Sequence, residues 1–173
     1  MSPARRRRIV AVIGNSRPPP EAVPVAEQIG RLIVEQGWRL VSGGLGGVME
    51  AASRGAHQAA GYREGDVVGI VPGAEADGAN AHVDIVIITN LGYARNVLVV
   101  ATADAVIAVG GGSGTLSEMA LAWQLGRPVV GLAVPGWSSR LAGEALDDKR
   151  PGTVLAADSP RAAIEAVRAA LDE

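Results

Sequence analysis

The stretch Val109-Gly110-Gly111-Gly112-Ser113-Gly114-Thr115-Leu116-Ser117-Glu118 carries the residue types that most directly imply chemistry. Glycines let a chain turn sharply and bring several N–H groups close to an anion. A helix that follows adds the positive end of its dipole. The hydroxyls of Ser113 and Thr115 add donors suited to a phosphate. A Walker A loop would need Gly-Lys-Ser/Thr, and no lysine is near. The dinucleotide pattern GxGxxG fails at its third glycine, read from Gly110 or from Gly112. A monophosphate or similar small anion therefore fits better than NAD or ATP.

Glu118 has two readings. Thr115-x-x-Glu118 has the spacing of a capping box, in which the carboxylate reaches back to a backbone N–H at the helix start. The alternative is a carboxyl group at a ligand-facing edge, able to protonate a leaving group or stabilise an oxocarbenium ion. On spacing alone the cap is the expectation. Arg95 starts the helix that follows the preceding strand, so it can approach the same edge. There it would be a simple surface ion pair, or a bidentate clamp on phosphate or on Glu118.

These residues need a scaffold, and the chain alternates short β-branched runs with longer amphipathic stretches. Strands are expected over Ile9 to Ile13, Arg39 to Ser42, Val67 to Val71, Ile85 to Thr89, Ala105 to Val109 and Pro128 to Ala133, with Val154 to Ala156 a candidate edge strand. Helices are expected from about Ala22 to Gln36, Val48 to Ala60, Tyr93 to Thr102 and Thr115 to Leu125. A last helix follows the cap-plus-N1 pair Ser159-Pro160 and runs to about Leu171, while Pro135 to Pro151 reads as the least regular region. Strands apolar on both faces and separated by helices imply an α/β, Rossmann-like domain: a mostly parallel sheet with helices on both faces. Loops after such strands gather at the carboxyl edge, where an open sheet binds its ligand. The second cluster, Gly43-Gly44-Leu45-Gly46-Gly47, also falls between a strand and a helix. Ser16 follows Gly14-Asn15 at the end of the first strand, on the same edge.

Composition narrows the function classes. The chain has 173 residues, 48% hydrophobic and 20% charged, with a formal net charge of −2, which fits one domain, 1–173, with a sizeable core. With no cysteine there is no disulfide framework, zinc ribbon or thiol nucleophile. The two histidines, His57 and His82, have no neighbouring ligand cluster, so no metal site is expected. Ser16 has no His–Asp partner nearby that would make a hydrolytic triad. The sole lysine, Lys149, lies in the charged run Asp147-Asp148-Lys149-Arg150, which argues against a pyridoxal-phosphate decarboxylase. Arg5 to Arg8 form a basic run without a second basic patch or an aromatic platform, so residues 1–7 read as a disordered, solvated tail and nucleic acid is not expected. No apolar stretch is long enough to cross a bilayer and no signal peptide is apparent, so the expectation is a cytoplasmic protein with no membrane partner.

Taken in order, Gly43-Gly44-Leu45-Gly46-Gly47-Val48-Met49, Arg95-Asn96 and Gly111-Gly112-Ser113-Gly114-Thr115-x-x-Glu118 resemble the Lonely-Guy (LOG) superfamily from Ile9 to about Ala133. That resemblance implies hydrolysis of the N-glycosidic bond of a nucleoside 5′-monophosphate, of cytokinin or AMP type, with Arg95 and Glu118 as catalytic residues and no cofactor. The phosphate or ligand would be held by Gly111, Gly112, Ser113, Gly114 and Thr115, together with Gly14, Ser16, Gly43, Gly44, Gly46 and Gly47. The pattern departs from the family where Gly110 replaces a proline, Ser113 a tyrosine, Asn96 a lysine and Ala94 a glutamate. In this it looks more like the branch that includes molybdenum-cofactor carrier proteins, which bind a pterin phosphate without turnover. By that alternative the molybdenum cofactor is the bound ligand. Either way the resemblance implies a small phosphorylated ligand and a homodimer or higher oligomer.

Overall fold

A computed structural model describes residues 6–172. The short aliphatic runs form β1 (Ile9–Gly14), β2 (Arg39–Ser42), β3 (Val67–Val71), β4 (Ile85–Ile88), β5 (Ala105–Val109), β6 (Val129–Leu132) and β7 (Leu155–Ala157). They make one seven-stranded sheet in the order β4-β3-β2-β1-β5-β6-β7, and every pairing is parallel. Helices α1 (Ala22–Glu35), α2 (Val48–His57) and α6 (Pro160–Asp172) cover one face. Helices α3 (Asn96–Thr102), α4 (Ser113–Gln124) and α5 (Trp137–Leu141) cover the other. Alternation along β1 divides the two cores, since Val10 and Val12 pack under α1 and α2 while Ala11 and Ile13 pack under α3 and α4. This is the Rossmann-like α/β architecture expected from the pattern.

Chain order creates one special place. From β1 the chain steps outward through β2 and β3 to β4, then returns to lay β5 beside β1 and steps outward the other way. The β1 and β5 loops therefore diverge and leave a crevice at the carboxyl ends of the strands. Gly14 pairs with Val109 in the register, so both strands end together at its mouth.

Several local expectations change. Helix α4 starts at Ser113 rather than Thr115, with Gly112 as its N-cap. The segment Gly92–Arg95 is a 3₁₀ turn, and only Asn96–Thr102 is α-helical. A short helix, α5, sits within the stretch read as irregular. Ser159 caps α6 as its sequence implies, its Oγ accepting the Ala162 N–H at 3.3 Å.

The basic run is not a solvated tail where it is described. Arg6 donates to both carboxylate oxygens of Asp104, at 2.9 and 2.6 Å, and Arg7 pairs with Asp66 at 2.5 Å. Arg8 donates to the Leu171 carbonyl at 3.1 Å. Asp66 and Asp104 are buried, and a buried carboxylate requires partners, which explains why the arginines fold down. Residues 1–5 of the expected tail lie outside the described residues.

Two glycines set how closely α1 approaches α2. A Cβ on Gly30 would lie 1.8 Å from the Ala52 carbonyl oxygen, and one on Gly55 would lie 1.8 Å from that of Glu27. The two backbones touch, so even a methyl group must push the helices apart. Gly30→Ala and Gly55→Ala are each expected to lower the unfolding free energy by about 1–3 kcal/mol in urea denaturation. A loss below about 0.5 kcal/mol for both, the size of an ordinary surface substitution, would contradict the contact.

Candidate functional site

The crevice opens into a cavity of about 600 Å³, within the range of small-molecule sites. It is built from the loops after β1, β2 and β5, the 3₁₀ turn at Gly92–Arg95 and the first turns of α4. Among the positions singled out from sequence, Gly14, Ser16, Gly43, Gly112, Ser113, Gly114, Thr115, Arg95 and Glu118 line it. Gly44, Gly46, Gly47 and Gly111 do not line it and instead shape the loops behind. Gly111, at φ +107°, needs its lack of a side chain because a Cβ would lie 2.4 Å from the Thr115 side chain.

One wall is the start of α4. The first intrahelical bond there runs from the Leu116 N–H to the Gly112 carbonyl at 3.0 Å, so the amides of Ser113, Gly114 and Thr115 have no intrahelical acceptor. A Cβ on Gly112 or Gly114 would meet nothing within 4 Å, so these two residues lie against open space. Free amides, a helix dipole and two hydroxyls are groups suited to binding an anion.

Arg95 lies beside it, only 7% exposed. One terminal nitrogen donates to the Asn96 Oδ1 and the other to the Gly43 carbonyl at 3.4 Å. Its Nε is buried with no partner. Gly43 is required by this placement, since a Cβ there would lie 2.5 Å from the guanidinium. Burial lowers the Arg95 pKa against the pull of Glu118.

The capping box does not form. Helix α4 begins two residues before Thr115, its N-cap makes no side-chain hydrogen bond, and Glu118 lies inside the helix rather than reaching back to its start. Glu118 is 7% exposed, and no hydrogen bond or ion pair joins it to another group among the described residues. Burial pushes its carboxyl up to about 7 despite the opposing charge of Arg95. The group is thus able to hold or give up a proton near neutrality.

Other lining residues carried little sequence signal. Asn15, Leu45 and Met49 enter the cavity from the β1 and β2 loops and α2. Asn96 donates to the Ser117 Oγ at 3.1 Å, and Tyr93 stands 88% exposed at the rim. Behind the lining, Ser138, buried on α5, accepts the Gly110 N–H at 2.8 Å. Among the described residues no cluster of three His, Asp or Glu could hold a metal, and no helix is long and apolar enough to cross a membrane.

The raised Glu118 pKa gives stability a definite pH dependence. The folded state binds a proton more tightly than the unfolded chain, whose Glu titrates near 4.5. The contribution of Glu118 to stability therefore falls as pH rises from about 4.5 to about 7 and levels off above. Glu118→Gln removes the charge, so it is expected to stabilise the chain by up to about 3 kcal/mol relative to wild type at pH 8 and by little at pH 4. Urea unfolding at the two pH values tests this. A difference between the two proteins that does not change with pH would contradict the buried, unpaired carboxylate.

Comparison with known proteins places this architecture. A protein from Archaeoglobus fulgidus is 44% identical over 126 residues, 73% of this chain and 80% of that one. The molybdenum cofactor binding protein of Rippkaea orientalis superposes with a TM-score of 0.85 at 38% identity, covering 97% of this chain and 99% of that one. The molybdenum cofactor carrier protein of Chlamydomonas reinhardtii superposes with a TM-score of 0.80 at 31% identity, covering 97% of this chain and 100% of that one. DNA processing protein A of Helicobacter pylori, at 23% identity and a TM-score of 0.61, shares the fold alone. The model of the SLOG cluster4 family matches residues 7–164, and the chain belongs to that family.

Proposed function

We propose that this chain is a carrier that binds the molybdenum cofactor, or a related pterin phosphate, in the β1/β5 crevice without turning it over. One observation carries the reading. The amides of Ser113, Gly114 and Thr115, free of intrahelical acceptors, belong to residues that line the same cavity as Arg95, a buried guanidinium. That pairing suits a phosphate with a second acceptor group close by. The near full-length likeness to two proteins described as binding or carrying the molybdenum cofactor supports a pterin as the rest of the ligand.

The residues fit such a group. Ser113–Thr115 would hold its phosphate, Arg95 would meet a neighbouring acceptor, and Leu45 and Met49 would contact its ring system. When bound, the cofactor brings its own metal, held by the sulfur atoms of the pterin, and the cysteine-free chain need supply no metal ligand. Exposed Leu91, Tyr93, Val97 and Leu98 next to the rim support self-association through this face, in line with the oligomer implied by the family resemblance.

A second reading keeps one specific observation in its favour. Glu118 titrates near neutrality beside Arg95, as a general acid would for hydrolysis of a nucleoside 5′-monophosphate. Water would add at C1′ of the ribose, Glu118 would protonate the departing base, and ribose 5-phosphate would remain. Asn96, Gly110, Ser113 and Ala94 stand where the hydrolase pattern has other residues, which favours the carrier.

Mass spectrometry of ligands that copurify with the native protein, paired with an AMP incubation, separates the two readings. The carrier reading expects a bound pterin phosphate and no adenine. Release of adenine and ribose 5-phosphate that falls by about 10²–10⁴-fold in Glu118→Gln would overturn it in favour of the hydrolase.

A further inference from the structure

We infer that Asn15 is the positioning residue of the anion seat, fixing the loop before α4 and tying both glycine clusters to the end of β1. The inference rests on the anion-binding reading above and adds a residue and a role to it. Asn15 is the first residue after β1 and lines the cavity. Its side-chain carbonyl accepts the Gly111 N–H at 2.6 Å, and its backbone carbonyl accepts the Val48 N–H at 2.9 Å. One residue thus reaches the loop after β5 with its side chain and the start of α2 with its main chain.

The neighbours show how closely both loops press on it. A Cβ on Gly47 would lie 2.3 Å from the Asn15 backbone oxygen, and one on Gly110 would lie 3.0 Å from its Oδ1. Gly111 is buried, and a buried N–H without an acceptor is costly enough that the backbone would move to find one. Gly111 immediately precedes the N-cap of α4. Any such movement is passed directly to the amides of Ser113, Gly114 and Thr115.

The Asn15 Nδ2 donates to no group among the described residues, so its amide hydrogens remain available to a ligand. Asparagine meets both demands at once, because its oxygen holds the loop while its NH₂ adds no negative charge beside an anion. Aspartate would hold the loop equally well but repel the ligand. Alanine would do neither.

Sulfate is a suitable probe, since it stays a dianion across neutral pH. Its titration into the full chain is followed by NMR in wild type, Asn15→Ala and Asn15→Asp, together with hydrogen exchange at the Gly111 amide. Asn15→Ala is expected to speed Gly111 exchange and to weaken sulfate binding at least about fivefold. Asn15→Asp is expected to restore Gly111 protection while weakening sulfate at least about tenfold, because a charge now lines the seat. Two results would overturn the inference. One is Gly111 exchange and sulfate affinity in Asn15→Ala both within about twofold of wild type. The other is weakened sulfate with Gly111 still protected in Asn15→Ala. If wild type binds no sulfate, the anion reading itself fails, and Gly111 exchange in the two variants alone decides whether Asn15 holds the loop.

Discussion

A buried guanidinium, with one N–H left without a protein acceptor, sets the terms for everything around it. Desolvating Arg95 is costly, and the chain recovers only part of that cost through the Asn96 side chain and a long bond to Gly43. Glu118 lies close enough to feel the charge, yet burial dominates and its carboxyl titrates near 7. The two groups are therefore not a closed ion pair. A buried cation beside an acid able to hold its proton leaves net positive charge at the cavity wall, which is what the proposed anion reading requires.

The sheet explains why such a place can exist. At the β1/β5 crevice, loops from the two halves of the parallel sheet separate, and the first turn of α4 brings N–H groups without intrahelical acceptors to it. Both flanking cores are built largely from buried aliphatic residues, which anchor the strand ends from which the loops begin. Glycine follows from the same demand for close approach. Gly43 lies against the guanidinium and Gly111 against Thr115, where no side chain fits. Asn96, Ser113 and Gly110 stand where the chain departs from the LOG pattern that it resembles, and the proposed choice of carrier over hydrolase draws on those departures.

Much of this was legible in the sequence. The bounds of β3 and β5 follow directly from their β-branched runs, because a strand buried on both faces tolerates little else. The α4 start at Ser113 is masked in the sequence because Ser113 and Gly114 are poor helix formers and Thr115-x-x-Glu118 imitates a cap. Structure removes that alternative and leaves Glu118 facing the cavity. Helix α5 was hidden by Pro135-Gly136 and Ser138-Ser139, which read as turn residues. Arg6 and Arg7 looked like a tail because their partners, Asp104 and Asp66, lie 98 and 59 residues away. Asn15 offered no period or motif of its own, and its importance lies in a contact 96 residues distant.

The central claim is that the first turn of α4 is an anion seat completed by Arg95. A crystal structure of the chain with AMP tests it most directly, since carrier and hydrolase readings alike place the phosphate there. The account predicts phosphate oxygens within about 3 Å of the amides of Ser113, Gly114 and Thr115, with the rest of the ligand extending toward Arg95 and Glu118. A phosphate bound elsewhere on the molecule, with this loop empty at saturating ligand, would contradict it.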